Sequence, residues 1–305
     1  MNRLPQIAWL ADGKRLHLQD GPIDLIVECE GRAVDMRRAY EAAVVRFTGL
    51  LDELCAELTK LRRAADLQHS ALKGVVARRM HAAVAPFAAD HFITPMAAVA
   101  GSVAEEILGT MLCAAPLARA YVNNGGDIAL HLEERKRFSI GLMDRPDRLG
   151  VVRTLVIDAE DTARGIATSG RHGRSFSLGI ADAVTVLART ASQADAAATI
   201  IANAVDLPGH PAIVRSPANE LQPDSDLGAR LVTREVGELS YAEVAHALEA
   251  GADCARNLLA AGLIEWAILR LKGETVEIGT SRMERRATHL FDERAAFEND
   301  ACLAS

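Results

Sequence analysis

The chain has 305 residues, of which 50% are apolar and 4% aromatic; this allows one large domain or two modest ones and excludes general disorder. A net charge of −7 gives no overall basic field, so neither nucleic acid nor an anionic membrane is an expected partner. The five cysteines form no Cys-x-x-Cys pair, which argues for reduced thiols and against a zinc ribbon or a disulfide framework.

The N-terminal region has no pattern of a targeting segment. Residues 1–16 (MNRLPQIAWLADGKRL) lack the apolar core of a secretory signal. Charged residues are expected to interrupt the other apolar stretches before the roughly 18 residues that a membrane span needs. We therefore expect a cytoplasmic protein.

The first hundred residues change from a strand pattern to a helical one. Short apolar runs separated by Asp-Gly turns over residues 6–28 predict two or three antiparallel strands. Apolar residues then recur every three or four positions from Ala33 to Ala65, which predicts one long amphipathic helix. Residues 68–90 favour a second helix, with Arg78 and Arg79 on its solvent face.

A further helix and several strands are predicted over the middle of the chain. A Thr-Pro start signal opens the helix over Phe92–Leu112. Residues Ala120–Leu132 place apolar runs on both sides of Asn-Asn-Gly-Gly, the pattern of a strand, a tight turn and a strand. Phe138–Met143 and Val151–Ile157 are predicted as two more strands.

The last third of the chain begins with a proline-rich stretch. Four of the ten prolines fall in residues 208–226, which predicts a surface loop or a domain boundary. Ser240 followed by Glu243 forms a capping box and predicts a helix that runs to about Ala261. The sequence LIEWAILRL-KG-ETVEI then predicts a hairpin.

The order of these elements indicates the fold class. Helices and strands are segregated rather than alternating, which favours an α+β fold with antiparallel sheets over a doubly wound parallel one. We expect residues 1–279 to form a single domain. Residues 280–305, rich in Arg and Glu, are expected to form a charged C-terminal tail.

Asn123–Asp127 (NNGGD) is the first candidate site, and it has two interpretations. In one, Asn and Gly only supply the left-handed backbone of a hairpin turn. In the other, the amides of Gly125 and Gly126 contact an anion or a nucleotide. Asp127 would then accept a hydrogen bond from a hydroxyl or an amine.

The loop at residues 167–174 (ATSGRHGR) is the second candidate. Arg171 and Arg174 flank small residues, an arrangement that could clamp a phosphate or a carboxylate. His172 could transfer a proton near neutral pH. The alternative is a flexible polar loop with solvated arginines. Neither a Walker lysine nor a Gly-x-Gly-x-x-Gly pattern is present, so neither a P-loop nor a Rossmann site is predicted.

The third candidate is a helix of mostly small residues. Ser192 and Asp195 have the spacing of a near capping box, so Asp195 could cap the start of its own helix. Asp195 and Thr199 are also four residues apart, so both oxygens lie on one face and could share a cation such as Mg²⁺. From the residues alone, the cap is the better interpretation.

Three segments in this order resemble a known family: PMAAVAGSVAEEI (Pro95–Ile107), AYVNNGGDIALH (Ala120–His131), and Gly165–Asn203 with GIATSG and SQADAAAT. They are similar to motifs of the ApbE-like superfamily, whose best-known members are Mg²⁺-dependent FAD:protein FMN transferases. The resemblance covers residues 92–206. It implies a T-fold-like architecture, in which an antiparallel sheet carries paired long helices on one face.

The resemblance also implies roles for particular residues. Those expected against a nucleotide, flavin or phosphate are Asn124, Gly125, Gly126, Asp127, Thr168, Ser169 and Gly170. Asp195 and Thr199 match the Asp and Thr that coordinate Mg²⁺, with a backbone carbonyl near residues 98–100 as a further ligand. The chain departs from the transferases near Gly101, where they have a lysine. It also departs after the TSG loop, where HGRSFSLGIAD replaces a His-x-x-Asp-Pro-x-x-Gly segment, and it is most similar to a small cytosolic branch.

These expectations combine into one leading hypothesis. The protein would be an enzyme that binds a phosphorylated or flavin-type small molecule such as FAD or FMN together with Mg²⁺, in an FMN transfer or a cleavage of the FAD diphosphate. His172 would be the acid/base, while Arg171 and Arg174 would hold the anion. The alternatives are a metal-independent enzyme for an organic acid or a pterin-like ligand, and a binding protein without turnover. A homodimer is expected because T-fold relatives often place sites between subunits.

Overall fold

A computed structural model describes residues 4–66, 71–145 and 148–279 of the chain. The predicted tail, residues 280–305, lies outside these ranges, and so does part of the stretch predicted as the second helix. The strands are β1 (Gln6–Trp9), β2 (Leu16–Asp20), β3 (Ile23–Glu30), β4 (Arg119–Asn124), β5 (Asp127–Leu132), β6 (Arg137–Arg145), β7 (Arg148–Asp158), β8 (Gly165–Ser169), β9 (Ala183–Ala188), β10 (Ile213–Pro217), β11 (Leu231–Val236), β12 (Trp266–Leu271) and β13 (Glu274–Ile278). The α-helices are α1 (Ala33–Phe47), α2 (Leu50–Ala56), α3 (Leu58–Leu61), α4 (Val75–Val84), α5 (Val99–Ala114), α6 (Ala191–Ala204), α7 (Ala218–Leu221) and α8 (Tyr241–Ala260), and short 3₁₀ turns cover Ala85–Phe87 and Pro95–Ala98.

One antiparallel sheet organises the described chain. It has nine strands in the order β1-β2-β3-β4-β5-β8-β9-β12-β13, and every neighbouring pair is antiparallel. The hairpins β6–β7 and β10–β11 form two further small sheets. Strand β3 (IDLIVECE) shows why the sheet forms, because each second residue is buried and the others are partly exposed.

The two faces of the sheet are covered differently. One face packs against the long helices in two clusters of apolar residues, one under α1, α4 and α5 and the other under α6 and α8. On the opposite face, Tyr121, Leu130 and Trp266 pack against Phe138 and Ile157 of the β6–β7 hairpin. The predicted α+β fold, with antiparallel sheets and helices packed on one face, is confirmed.

Two predicted segments differ in the structure. The helix predicted over Ala33–Ala65 is broken, because Gly49 adopts a φ of +85° that ends α1 and turns the chain into α2. The stretch 208–226, predicted as a loop or a boundary, contains β10 and α7, and β10 pairs with β11. The capping box at Ser240 and Glu243 is confirmed at the start of α8.

Helix α5 packs into the interior of the fold. Residues Pro95–Ala114 are long and apolar enough to cross a membrane by length and composition alone, although Glu105 and Glu106 interrupt the apolar run as expected. In the fold this segment contacts α1, α6 and strands β4 and β5. Arg79, predicted on a solvent face, instead pairs with Glu105 and Glu106 of α5, at 3.2 Å and 3.0 Å.

Candidate functional site

The predicted site residues come from four elements that meet at one end of the sheet. The β4–β5 turn and the end of β8 supply backbone and side chains from the sheet. The first turn of α5 and the first half of α6 pack over them, since α5 contacts β4, β5 and α6, and α6 contacts β8. The three segments that resemble one family are therefore neighbours in the fold.

The starts of α5 and α6 are in direct backbone contact. A Cβ atom on Gly101 would lie 2.3 Å from the carbonyl oxygen of Ala191, so only glycine allows this approach. Each helix also supplies a carboxylate to the start of the other. The Gly101 amide donates to Asp195 Oδ2 at 3.0 Å, and the Ser192 amide donates to Glu105 Oε1 at 2.6 Å.

This arrangement corrects the capping interpretation of Asp195. The N-cap of α6 is Thr190, whose side chain accepts a hydrogen bond from the Gln193 amide at 3.3 Å. Ser192 and Asp195 lie inside the helix, so they form no capping box for it. Asp195 does satisfy helix amides, but they belong to the first turn of α5, where the helix dipole favours a negative charge.

The β4–β5 turn has the predicted geometry. Gly125 and Gly126 adopt φ angles of +63° and +109°, and the Gly126 amide donates to Asn123 Oδ1 at 2.8 Å. Asp127 opens β5 and accepts a hydrogen bond from the Thr168 amide at 3.2 Å. The predicted hairpin is confirmed, and it joins Asp127 to the end of β8.

Two half-buried carboxylates, Asp127 and Asp195, are close enough at this site for one to repel the other. Burial raises the pKa of Asp127 to about 7, although the Thr168 amide and the Arg174 guanidinium oppose the shift. Burial and then repulsion by Asp127 raise the pKa of Asp195 well above its ordinary value, against hydrogen bonds from the Gly101 and Ala100 amides. A negative charge is thus costly on either carboxyl group unless a cation is nearby.

The donor set fits a hard cation. Both carboxylates offer oxygen atoms, and Thr199 lies one helical turn after Asp195 on the same face of α6. Within the described ranges, the Thr199 hydroxyl makes no hydrogen bond and no group of three or more His, Cys, Asp or Glu residues could hold a metal. Mg²⁺ is commonly held by one or two carboxylates with other oxygens and water, so these residues suit Mg²⁺ better than a Cys- or His-rich metal site.

The loop after β8 places Arg171 and His172 in one position and Arg174 in another. Arg171 contacts Asp182 Oδ1 through Nε at 2.8 Å and through Nη2 at 2.6 Å, and His172 Nε2 lies 3.2 Å from the same oxygen. Arg174 instead lies at the β4–β5 turn, where a Cβ on Gly125 would come within 1.8 Å of its Nη2 atom. Of the two predicted arginines, it is Arg174 that faces the acidic pair.

A family model described as AbpE bacteria matches residues 7–278. The chain belongs to this family. The match extends over almost all of the residues that the structure describes, far beyond the three segments that carried the resemblance in the sequence.

Members of the UPF0280 group are similar to this AbpE-family chain over a shorter segment. A UPF0280 protein of Methanopyrus kandleri is 38% identical over 128 residues, which is 42% of this chain and 48% of that protein. One of Methanococcoides burtonii is 39% identical over 127 residues, or 39% of this chain and 48% of that protein. The matched segment therefore spans about half the length of these curated relatives.

Two solved structures are also similar to the chain. The ApbE protein of Thermotoga maritima has a TM-score of 0.47 and 14% identity over 67% of this chain and 88% of its own. A mutant of the flavin transferase ApbE of Vibrio cholerae has a TM-score of 0.46 and 12% identity over 88% of this chain and 98% of its own.

The structure of this AbpE-family protein brings together most of the predicted site residues, and their roles stay predictions. Asp127, Asp195 and the backbone amide of Thr168 meet where α5 and α6 begin. Gly125, Gly126 and Arg174 lie at the adjoining β4–β5 turn, and Thr199 lies one helical turn after Asp195 on α6. Ser169 and Gly170 continue from β8, where a Cβ on Gly170 would lie 2.6 Å from the Asp182 carbonyl oxygen. Asn124 is only 4% exposed and hydrogen-bonds inside the protein.

Two residues that shape the site, Asp182 and Glu105, were not predicted from the sequence. Asp182 holds both Arg171 and His172, and Glu105 caps α6. These three contacts join residues that are 10, 11 and 87 positions apart, so no local pattern indicates them. The signal that could have pointed to Glu105 is its place on α5 one turn after Gly101.

Proposed function

We propose that this AbpE-family protein binds a flavin-type nucleotide, such as FAD or FMN, together with Mg²⁺. The observation that supports the proposal most directly is the pair of carboxylates, Asp127 and Asp195, where the first turns of α5 and α6 meet. Two like charges in a poorly solvated site repel each other, and a bound cation reduces that repulsion. The choice of a flavin rests on the sequence motifs, which resemble those of FAD:protein FMN transferases.

In this proposal, Asp195 and Thr199 would hold the Mg²⁺ ion, and the neighbouring carboxylate of Asp127 would add negative charge to the site. Bound Mg²⁺ would neutralise the negative charge of a diphosphate. Arg174 supplies a second positive charge at the β4–β5 turn, where the missing side chain of Gly125 leaves room for its guanidinium group. The exposed position of Arg174 lets it bind a phosphate oxygen bidentately.

The finer proposal is a reaction at the FAD diphosphate. Attack by water or by an acceptor hydroxyl on the phosphorus next to riboflavin would break the diphosphate bond, giving FMN, free or attached to the acceptor, and AMP. His172 would act as the acid/base, with Asp182 on its Nε2 side. We further propose a cytoplasmic homodimer.

The metal-independent alternative needs Arg171, His172 and Arg174 to bind an organic acid or a pterin-like ligand. The contacts of Asp182 with Arg171 and His172 argue against it, because one carboxylate already neutralises the Arg171 guanidinium. A binding protein without turnover is the other alternative. It predicts the same Mg²⁺-dependent ligand binding but no release of AMP.

FAD binding with and without Mg²⁺ tests the proposal. We expect quenching of FAD fluorescence by the wild-type protein that strengthens in Mg²⁺ and weakens in Arg174→Ala. Arg234→Ala removes an equal charge from an exposed position on β11 and should leave binding unchanged. No FAD affinity in either condition would reject the proposal, while chromatographic detection of AMP separates an enzyme from a binding protein.

A further inference from the structure

We infer that Asn124 is a positioning residue that fixes the Asp195 carboxylate through the peptide group between Ala100 and Gly101. The inference rests on the proposed Mg²⁺ site and assigns Asn124 a different task from the nucleotide contact that the sequence suggested. Asn124 is only 4% exposed, so it is buried below the site rather than open to a ligand.

The hydrogen bonds of Asn124 determine how its amide group is oriented. Its Oδ1 atom accepts from the Asp24 backbone amide at 3.4 Å, and its Nδ2 atom donates to the Ala100 carbonyl oxygen at 3.2 Å. One partner can only donate and the other can only accept, so the reversed amide would lose both bonds. Strands β3 and β4 thus hold a single orientation of this side chain against α5.

The bond to Ala100 acts directly on the group that binds Asp195. The Ala100 carbonyl and the Gly101 N–H belong to one planar peptide group, and that N–H donates to Asp195 Oδ2 at 3.0 Å. The hydrogen bonds run in one direction, from the Asp24 amide through Asn124 and the peptide to the carboxylate. Each bond in such a chain polarises the next, which strengthens the final bond to the negative charge.

The surrounding backbone leaves this peptide little freedom to move. Gly101 is pressed against the carbonyl of Ala191, where an added Cβ would lie 2.3 Å from the oxygen. Since Asp127 begins the strand paired with β4, Asn124 ties Asp195 to the strand pair that carries Asp127. Loss of the Asn124 side chain should let the carboxylates of Asp127 and Asp195 change position relative to one another.

His131 offers a matched control on the same face of the same strand pair. Its Nε2 atom lies 2.9 Å from the carbonyl oxygen of Leu117, just beyond the far end of α5. His131 pairs with Ala120 and Asn124 pairs with Asp127 in the β4–β5 register, so both side chains point towards the helices. Each substitution therefore removes one contact to a backbone carbonyl, at opposite ends of α5.

The test is a titration of each protein with Mn²⁺, followed by the paramagnetic resonance signal of the free ion, well below the unfolding temperature. We expect Asn124→Ala to weaken Mn²⁺ binding about 10-fold, the lower end of the effect of groups that orient metal ligands. His131→Ala should change it less than about 2-fold, the result expected of a residue that only stabilises the fold. Asn124→Ser, which keeps a shorter donor, should fall between wild type and Asn124→Ala and provides the test if the alanine variant does not fold.

Competition by Mg²⁺ and Ca²⁺ against Mn²⁺ gives a second readout that a purely structural role would not change. Mg²⁺ demands a more regular set of oxygens than Ca²⁺, so loosening Asp195 should reduce the preference for Mg²⁺ in the Asn124 variants only. Equal Mn²⁺ affinity and equal preference in wild type and the Asn124 variants would overturn this inference alone. Failure of the wild-type protein to bind Mn²⁺ would overturn the Mg²⁺ proposal as well.

Discussion

Asp127→Asn should stabilise the metal-free protein at alkaline pH. Burial raises the pKa of Asp127 to about 7, so folding favours its protonated form. Its stabilising contribution is therefore complete below the ordinary pKa of 3.8 and is lost as the pH rises through about 7. Asparagine has nearly the same shape and keeps an oxygen to accept from the Thr168 amide, but it carries no charge at any pH.

The size of the effect follows from the same pKa. A rise from 3.8 to about 7 corresponds to about 4 kcal/mol in the free energy of unfolding if the site were sealed from water. Asp127 is partly exposed, and solvent screens its charge, so we expect about 1–3 kcal/mol at pH 8. For a protein of this size that is a rise of a few degrees in Tm.

Thermal and urea unfolding in EDTA at pH 4.5 and pH 8 would measure this gain in stability. The difference between Asp127→Asn and wild type should be small at pH 4.5 and largest at pH 8. Asp90→Asn removes the same charge from an exposed position and should show no such pH dependence. If Asp127→Asn is no more stable than wild type at pH 8, burial does not raise the pKa of Asp127 as described.

Two other predictions concern the packing that holds the site. Gly101→Ala should lower the free energy of urea unfolding by at least about 2 kcal/mol, because the new Cβ atom would lie 2.3 Å from the Ala191 carbonyl oxygen. Gly109→Ala on the same helix is the control, because the space around its Cβ position is open. This substitution should leave stability unchanged or raise it by up to about 1 kcal/mol. A loss of stability as large in Gly109→Ala would contradict the close contact of α5 and α6 as the cause. Ser240→Ala should lower the free energy of unfolding by about 1 kcal/mol, because it removes the capping box at the start of α8. Thermal unfolding measures this loss, and an unchanged Tm would show that the capping box does not stabilise the protein.

Local patterns predicted most of the fold. The Asp-Gly turns, the Asn-Asn-Gly-Gly hairpin and the Ser240 capping box each depend on residues a few positions apart, and all three occur as predicted. The break at Gly49 was not predicted, because the helical spacing of apolar residues continues across it. The φ of +85° at Gly49 nevertheless interrupts the helix.

The sequence predicted which residues form the candidate site, but not the hydrogen bonds between them. The family motifs indicated Asp127 and Asp195 together, yet spacing alone assigned Asp195 to the cap of its own helix. The amide it accepts from lies 94 positions away, at Gly101. The contacts made by Glu105 and Asp182 likewise depend on how helices and loops pack, which a single sequence does not encode locally.

In the proposed function, Asp195 makes flavin binding depend on Mg²⁺. Calorimetric titration of FAD into wild type and Asp195→Asn, each with Mg²⁺ and with EDTA, tests it most directly. We predict that Mg²⁺ tightens FAD binding by wild type at least about 10-fold, a difference of about 1.4 kcal/mol, and leaves binding by Asp195→Asn unchanged. The same Mg²⁺ enhancement in both proteins, or no enhancement in wild type, would contradict the account.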